Sequence, residues 1–356
     1  MSDKVLMKGN EALAEAAIRA NCRFFFGYPI TPQTELAAYM AKKMPKAGGL
    51  FMQAESEVAA INMVYGAAGA GARVMTSSSS PGISLKSEGI SYIAGADLPC
   101  LIVNIVRGGP GLGGIQPAQS DYFQATKGGG HGDYHMVVLA PASIQEIVDL
   151  TGDAFDIADR YRTPVMIMGD GMLGQMMEPV TFENVGKEAS DLPEKTWATD
   201  GTHMKRKKNI INSLYLQPED LERLVLEREK KYEVIKEKEV RYETDMLEDA
   251  EYVFVAYGTT ARIVKNAIKS LRAEGYKVGL IRPITLFPFP EKVIAETAKR
   301  VRGMLCVEMS TGQMVYDVRL AANGTCPVEF FGRTGGVVPV PDEIIASFKK
   351  MAGGDK

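Results

Sequence analysis

The sequence predicts an α/β protein with two parallel-sheet domains, on three observations. Short apolar runs alternate with helix-length segments from Lys8 to about Met177. The same alternation resumes at Tyr252 and continues to Phe331. Between them the periodicity fades, and then a segment crowded with charges of both signs takes over. Strand-length apolar runs separated by helices mean βαβ units, and hence a sheet covered on both faces.

The elements follow in order. A helix over 9–20 leads to a strand over 22–26, and a helix over 32–44 to a strand over 50–53. A small-residue helix from Glu57 to about Gly69 leads to a strand over 73–76; Ala67 to Gly71 let it lie close to the sheet. A helix after Pro81 precedes a strand over 101–106, and a strand over 136–139, a helix over 143–158 and a strand over 165–168 complete the first unit. Residues 178–212 read as a connector, with the sole tryptophan, Trp197, and the basic run Lys205-Arg206-Lys207-Lys208. From Pro218 to Glu243 a charged helix carries Leu221, Leu224, Val225, Tyr232 and Ile235 on one side, suited to bridging two domains or clasping a partner. The second unit has strands over 252–257, 277–281, 304–307 and 328–331, with helices from Gly258 to Glu274 and from Glu291. The expected division is 1–190, a connector with the charged helix over 191–245, and 246–356.

Composition narrows the function classes. Hydrophobic residues make up 46% of the 356 and charged residues 24%, ordinary for a globular protein. A net charge of −3 gives no general attraction to nucleic acid or anionic lipid, so the basic run reads as a solvated loop. No apolar run is long enough for a membrane span or a signal peptide, which makes the cytoplasm the expected compartment. The cysteines, Cys22, Cys100, Cys306 and Cys326, form no CxxC pair, which argues against an iron–sulfur cluster or structural zinc in this chain.

The chemistry-bearing residues gather at strand ends. Gly27-Tyr28-Pro29-Ile30-Thr31-Pro32 ends an apolar run and starts a helix at Pro32, a favoured first helical residue. The Thr31 hydroxyl can meet a substrate carbonyl or carboxylate, or cap that helix. Glu57 heads an apolar helix, where the dipole favours an ionised carboxylate. Thr76-Ser77-Ser78-Ser79-Ser80-Pro81-Gly82 lies inside a βαβ unit, so it is a turn whose amides and hydroxyls can face a ligand. Arg107 ends a strand at the sheet edge where ligands bind, and can hold a carboxylate bidentately. Gly109 to Gly114 has the form G-x-G-x-x-G, but Gln116-Pro117 continues a loop where a dinucleotide fingerprint needs a helix. His131 and His135 stand four apart among glycines that forbid a helix, which speaks against a metal pair and for a flexible loop near the site's mouth.

Tyr28 to Pro32 resembles the YPITP turn of 2-oxoacid:ferredoxin oxidoreductases. Glu57, with Ala59, Ala60 and Gly66 in register, resembles the glutamate of the pyrimidine-binding domain of thiamine-diphosphate enzymes; Glu55 does not fit that register. Thr76 to Gly82 resembles the same domain's TSGPG-like turn. The resemblance runs from Gly9 to the C-terminus and is nearest to the alpha-type subunit of the branched-chain, or 2-oxoisovalerate, enzyme. It implies a thiamine-diphosphate-binding, pyrimidine-type parallel-sheet domain followed by a transketolase C-terminal-like α/β domain. It also implies that Glu57 bonds N1′ of the aminopyrimidine as the catalytic group. Tyr28, Pro29, Ile30, Ser80, Pro81 and Gly82 would line the cofactor, and Thr31 and Arg107 would touch substrate.

Gly169-Asp170-Gly171 matches the start of the family's GDG…N motif for magnesium and diphosphate. The asparagine is missing, since Asn184 comes too early and Asn209 too late. The chain is thus expected to supply no metal ligand and only the pyrimidine side of a shared thiamine diphosphate site. A beta-type partner would hold the diphosphate and magnesium, iron–sulfur clusters would lie in partner subunits, and gamma-type and ferredoxin-like subunits would complete the assembly. The implied reaction joins a 2-oxoacid, coenzyme A and oxidised ferredoxin to give acyl-CoA, carbon dioxide and reduced ferredoxin. Gly111 to Pro117 and Ser120-Asp121-Tyr122 resemble branched-chain enzymes, favouring 3-methyl-2-oxobutanoate. The alternatives are 2-oxoglutarate or pyruvate with the same chemistry, or a non-catalytic assembly subunit.

Overall fold

The computed structural model describes residues 4–186, 190–202 and 204–353; parts of the expected connector, 187–189 and 203, lie outside the described residues. The chain runs β1 (Val5–Lys8), α1 (Gly9–Arg19), β2 (Phe24–Gly27), α2 (Thr34–Lys43), β3 (Leu50–Gln53), α3 (Glu57–Gly69), β4 (Val74–Ser78), α4 (Pro81–Gly95), β5 (Cys100–Val106), α5 (Tyr122–Thr126), β6 (Val137–Leu139), α6 (Ile144–Tyr161), β7 (Pro164–Asp170), α7 (Gly171–Gln175) and β8 (Met177–Val180). It continues with α8 (Pro218–Lys238), β9 (Tyr242–Asp245), β10 (Tyr252–Val255), α9 (Gly258–Ala273), β11 (Val278–Pro283), β12 (Thr285–Phe287), α10 (Glu291–Ala298), β13 (Gly303–Glu308), α11 (Met314–Ala322), β14 (Val328–Gly332) and α12 (Pro341–Met351).

The first sheet has the order β12-β6-β7-β5-β4-β2-β3 and is parallel except for β12. Its middle strands, β5 and β7, are buried almost throughout and correspondingly apolar. One face carries α1, α2 and α6 over a core that includes Leu13, Leu36, Phe25 and Phe155. The other carries α3 and α4, and its core runs on without a break into the second unit through Tyr122, Tyr257 and Leu286. The second sheet has the order β14-β13-β10-β11-β9. Its far face is closed by α9 and α12 around Phe254 and Phe348.

Several expectations need correcting. The first helix after β2 starts at Thr34, not Pro32. The Pro32 carbonyl accepts from the side-chain amides of Asn10 (2.8 Å) and Gln175 (3.1 Å), which fixes the turn outside the helix. The charged helix stops at Lys238, and Tyr242–Asp245 forms an antiparallel edge strand on β11. The proline-rich turn hides β12, which leaves the second unit and pairs antiparallel with β6 of the first sheet. Both strands are short edge strands, without the continuous apolar run that marks buried ones. α8 docks through Tyr232, Ile235 and an ion pair of Lys231 with Asp97 (2.7 Å), while Leu221 stays exposed.

Gln119 joins the two units. Fully buried, it donates from Nε2 to the Tyr257 carbonyl (3.0 Å), and its Oε1 accepts from the Thr260 hydroxyl (2.6 Å) and the Met309 N–H (2.9 Å). Close by, Asp317 accepts from Tyr122 and from Lys127. Gln119→Ala strands three buried polar groups, and should lower unfolding free energy by about 2–4 kcal/mol in a urea titration. An unchanged midpoint would mean the junction relies on its apolar contacts alone.

Candidate functional site

Strand order builds the site. β3 and β4 lie on opposite sides of β2, so the chain reverses direction across the sheet there, and such a switch point opens a crevice at the carboxyl ends of the strands. The turns after β2, β3, β4 and β5 all end at this edge. The β2 turn presents Tyr28, Pro29 and Thr31 exposed and Ile30 half-buried.

After β3 the Ser56 hydroxyl accepts from the Ala59 N–H (3.1 Å) and caps α3, which sets Glu57 in the first helical turn. Glu57 is buried, with 6% of its surface exposed, and among the described residues its carboxylate takes part in no hydrogen bond. Above it lies Gly82 at the head of α4. A Cβ there would fall 2.7 Å from Glu57 Oε1 and 2.0 Å from Ser78 Oγ. The hydroxyls of Thr76, Ser78 and Ser79 are buried without partners. Buried polar atoms without partners are costly, so their gathering beside a carboxylate marks a surface built for a polar ligand.

Arg107 caps the end of β5, also buried. Its Nη1 donates to the Thr31 carbonyl and Nη2 to the Leu112 carbonyl, both at 3.0 Å. Nε has no partner, and Arg107 makes no ion pair among the described residues. It is a buried cation facing no anion of its own. The Ser80 hydroxyl accepts from the Arg107 N–H (3.1 Å), and the Ser80 N–H donates to Asn104 Oδ1 (3.1 Å). Asn104 Nδ2 in turn donates to Asp121 (2.9 Å), whose carboxyl burial pushes up. So the structure puts the Ser80 side chain on the arginine's backbone, and uses the Thr31 carbonyl rather than its hydroxyl to hold the guanidinium.

The glycine run closes on itself through Gly114 N–H to the Gly108 carbonyl (2.9 Å), and no helix opens before α5. The loop holding His131 and His135 packs on the later turns of α4, where the His131 N–H donates to Ser91 Oγ (3.0 Å) and its ring meets Tyr92. His135 stacks on Phe287 instead. Asp170 caps α7 by accepting from the Met172 and Leu173 N–H groups.

Two residues escaped sequence reasoning. Gln33 is fully buried, and its Oε1 accepts from the Ser77 hydroxyl (2.7 Å). Lys86, on α4, is fully buried and donates to the Ser77 carbonyl (3.1 Å). Its signal was its place four residues after Gly82, on the same helix face.

The sequence profile of the pyruvate flavodoxin/ferredoxin oxidoreductase family, thiamine diphosphate-binding, matches residues 15–249, and that of pyruvate:ferredoxin oxidoreductase core domain II matches residues 250–344. The chain belongs to this family. It is 49% identical over 98% of both chains to the ketoisovalerate oxidoreductase subunit VorB of Methanothermobacter marburgensis. It is 37% identical, over 99% of its length and all of the relative's, to the 2-oxoglutarate synthase subunit KorA of Methanothermobacter thermautotrophicus. Among solved structures it is similar to 2-oxoglutarate:ferredoxin oxidoreductase from Magnetococcus marinus, with a TM-score of 0.86 and 28% identity. The match covers 98% of this chain and 65% of that one. A split-gene transketolase at 15% identity and a TM-score of 0.61 shares the fold.

The family's cofactor fits the residues present on one side. A carboxylate without a hydrogen bond, a glycine that keeps its approach clear and a set of unpartnered hydroxyls suit a polar aromatic ring. At the end of β7, Asp170 Oδ1 is engaged in the cap of α7, and no cluster of three or more His, Cys, Asp or Glu occurs among the described residues. Gly82→Ala would push Glu57 and Ser78 from their places. It should destabilise the fold by about 1–3 kcal/mol in thermal unfolding and weaken thiamine diphosphate binding by the assembled protein. Wild-type affinity in that variant would remove Glu57 from the site.

Proposed function

We propose that this chain is the alpha-type subunit of a coenzyme A-dependent 2-oxoacid:ferredoxin oxidoreductase acting on 3-methyl-2-oxobutanoate. Arg107 is the observation that carries the reading. A buried guanidinium without an anion, at the same sheet edge as a carboxylate that meets no donor, suits an oxoacid at one end and a basic ring at the other. Bound thiamine diphosphate supplies the nucleophilic carbon and the electron sink for decarboxylation. The chain's own residues do the positioning. Glu57 accepts a hydrogen bond from the ring edge and holds its proton balance. The free N–H groups of Arg107 hold the substrate carboxylate until it departs, and the Thr31 hydroxyl, exposed beside it, meets the ketone side.

Exposed apolar side chains ring this edge: Tyr28 after β2, Met52 in β3 and Val58 in the first turn of α3. They suit a partner that closes the half-site. That partner, of beta type, would bring the diphosphate and magnesium ligands; iron–sulfur clusters, gamma-type and ferredoxin-like subunits, ferredoxin and coenzyme A belong to the same assembly. No described helix is long and apolar enough to cross a membrane, in keeping with work in the cytoplasm. For the substrate, Leu112 and Ile115 offer apolar contact beside Arg107, and identity is higher to the two Methanothermobacter VorB subunits than to the 2-oxoglutarate synthase KorA subunits.

The test is anaerobic, coenzyme A-dependent viologen reduction by the complex purified through this chain. A strong preference for 3-methyl-2-oxobutanoate over 2-oxoglutarate is expected, and Arg107→Met should lower kcat/KM about 10- to 100-fold, as loss of charged hydrogen bonds would. Preference for 2-oxoglutarate would overturn the substrate assignment and leave the reaction class standing.

A further inference from the structure

Asn104 is out of keeping with its strand. β5 is buried throughout and reads Cys-Leu-Ile-Val-Asn-Ile-Val, so this carboxamide sits in an apolar sheet with none of its surface exposed. A polar side chain there is costly unless both ends of its amide are satisfied. They are. Oδ1 accepts from the Ser80 N–H (3.1 Å), and Nδ2 donates to Asp121 Oδ2 (2.9 Å). A backbone N–H only donates, so the Ser80 end fixes which way round the amide lies.

Ser80 is the second oddity. At the turn into α4 it adopts a φ of +23° and a ψ of −81°. A non-glycine residue keeps such a positive φ only where its surroundings impose it, and such outliers cluster at functional sites. Its N–H is held by Asn104. Its hydroxyl bridges the backbone of Arg107, accepting from the N–H (3.1 Å) and donating to the carbonyl (3.3 Å). Asp121, at the other end, stands in a segment that the second unit fixes. Gln313 Nε2 donates to the Ser120 carbonyl (2.7 Å), and the Phe123 N–H donates to Gln313 Oε1 (2.8 Å). One line of contacts therefore runs from the second unit through Asp121, Asn104 and Ser80 to the arginine.

We propose that Asn104 and Asp121 are positioning residues for Arg107. Their relay holds Ser80 in its strained turn, and Ser80 sets the arginine backbone so that the guanidinium meets the carboxylate of the oxoacid. This rests on the reading of Arg107 as the carboxylate's partner. Without the relay, Ser80 relaxes to a negative φ, its hydroxyl leaves the Arg107 backbone, and the guanidinium loses its register with the substrate. A misplacement of about 1 Å at such a site costs up to about a hundredfold in rate.

Steady-state kinetics of the assembled complex, by coenzyme A-dependent viologen reduction, test this. Asn104→Leu, apolar and close in size, should raise KM for 3-methyl-2-oxobutanoate about tenfold and leave KM for coenzyme A unchanged. A general loosening of the fold would not make that split. Asp121→Leu should behave alike, whereas Asp121→Asn, which still offers Asn104 an acceptor, should keep KM near the wild-type value. The double variant with Arg107→Met shows whether the effect passes through the arginine. Once the guanidinium is gone, Asn104→Leu should lower kcat/KM by no more than about twofold further. Losses that multiply in the double variant, or a wild-type KM for the oxoacid in Asn104→Leu, would overturn the proposal. If Asn104→Leu fails to assemble, Asp121→Leu takes its place alone and with Arg107→Met, on the same criteria. Arg107→Met at wild-type kcat/KM would instead sink the reading of Arg107, and the relay with it.

Discussion

The reversal of chain direction at β2 is the constraint from which the site follows. Because β3 and β4 flank β2, α2 and α3 leave on opposite faces, and the turns after β2 and β4 splay apart at one edge. That opening cannot be filled by a connecting helix. What comes into it is set by the strand ends: Tyr28 to Pro32 from β2, Glu57 after β3, Ser78 to Gly82 from β4 and Arg107 from β5. A carboxylate and a guanidinium arrive there, and among the described residues neither makes an ion pair. Under the proposed function, a bound ligand supplies the compensation this polar edge lacks.

Rigidity at that edge depends on the second unit. β12 completes the first sheet from outside, Gln119 binds β10, α9 and β13 ends together, and the core beneath α4 continues across the junction. The loop between Arg107 and Tyr122 is anchored at its far end by Asp317. The guanidinium thus hangs between two fixed points, the Thr31 turn and a loop tethered to the second unit. The transketolase C-terminal-like unit contributes to the site by holding it still.

Much of this was legible in the sequence, and the rest was not, for physical reasons. β3 and α3 fall at their expected bounds, because an apolar run and a capped small-residue helix each follow from local chemistry. The placement of Tyr28 to Pro32, Glu57 and Arg107 at one sheet edge could be anticipated from motif and from their positions at strand ends. β9 and β12 could not, since a short edge strand leaves almost no period and its pairing is decided by residues far along the chain. The start of α2 was misplaced because the Pro32 carbonyl is captured by Asn10, across 22 residues. The Ser80 hydroxyl and the Thr31 carbonyl hold Arg107, a role no motif shows because such hydrogen bonds depend on tertiary placement. Lys86 was invisible because a lysine on a helix reads as solvated until its neighbours are known.

The central claim is that Glu57 manages the proton on the cofactor ring while the rest of the edge only positions it. Comparing turnover with cofactor affinity in Glu57→Gln, in the assembled complex, tests this most directly. The account expects turnover to fall by about two to four powers of ten, as removal of a proton-managing group does, in protein that still assembles. A fall of tenfold or less would contradict it, and would leave this chain as a scaffold for chemistry carried out elsewhere.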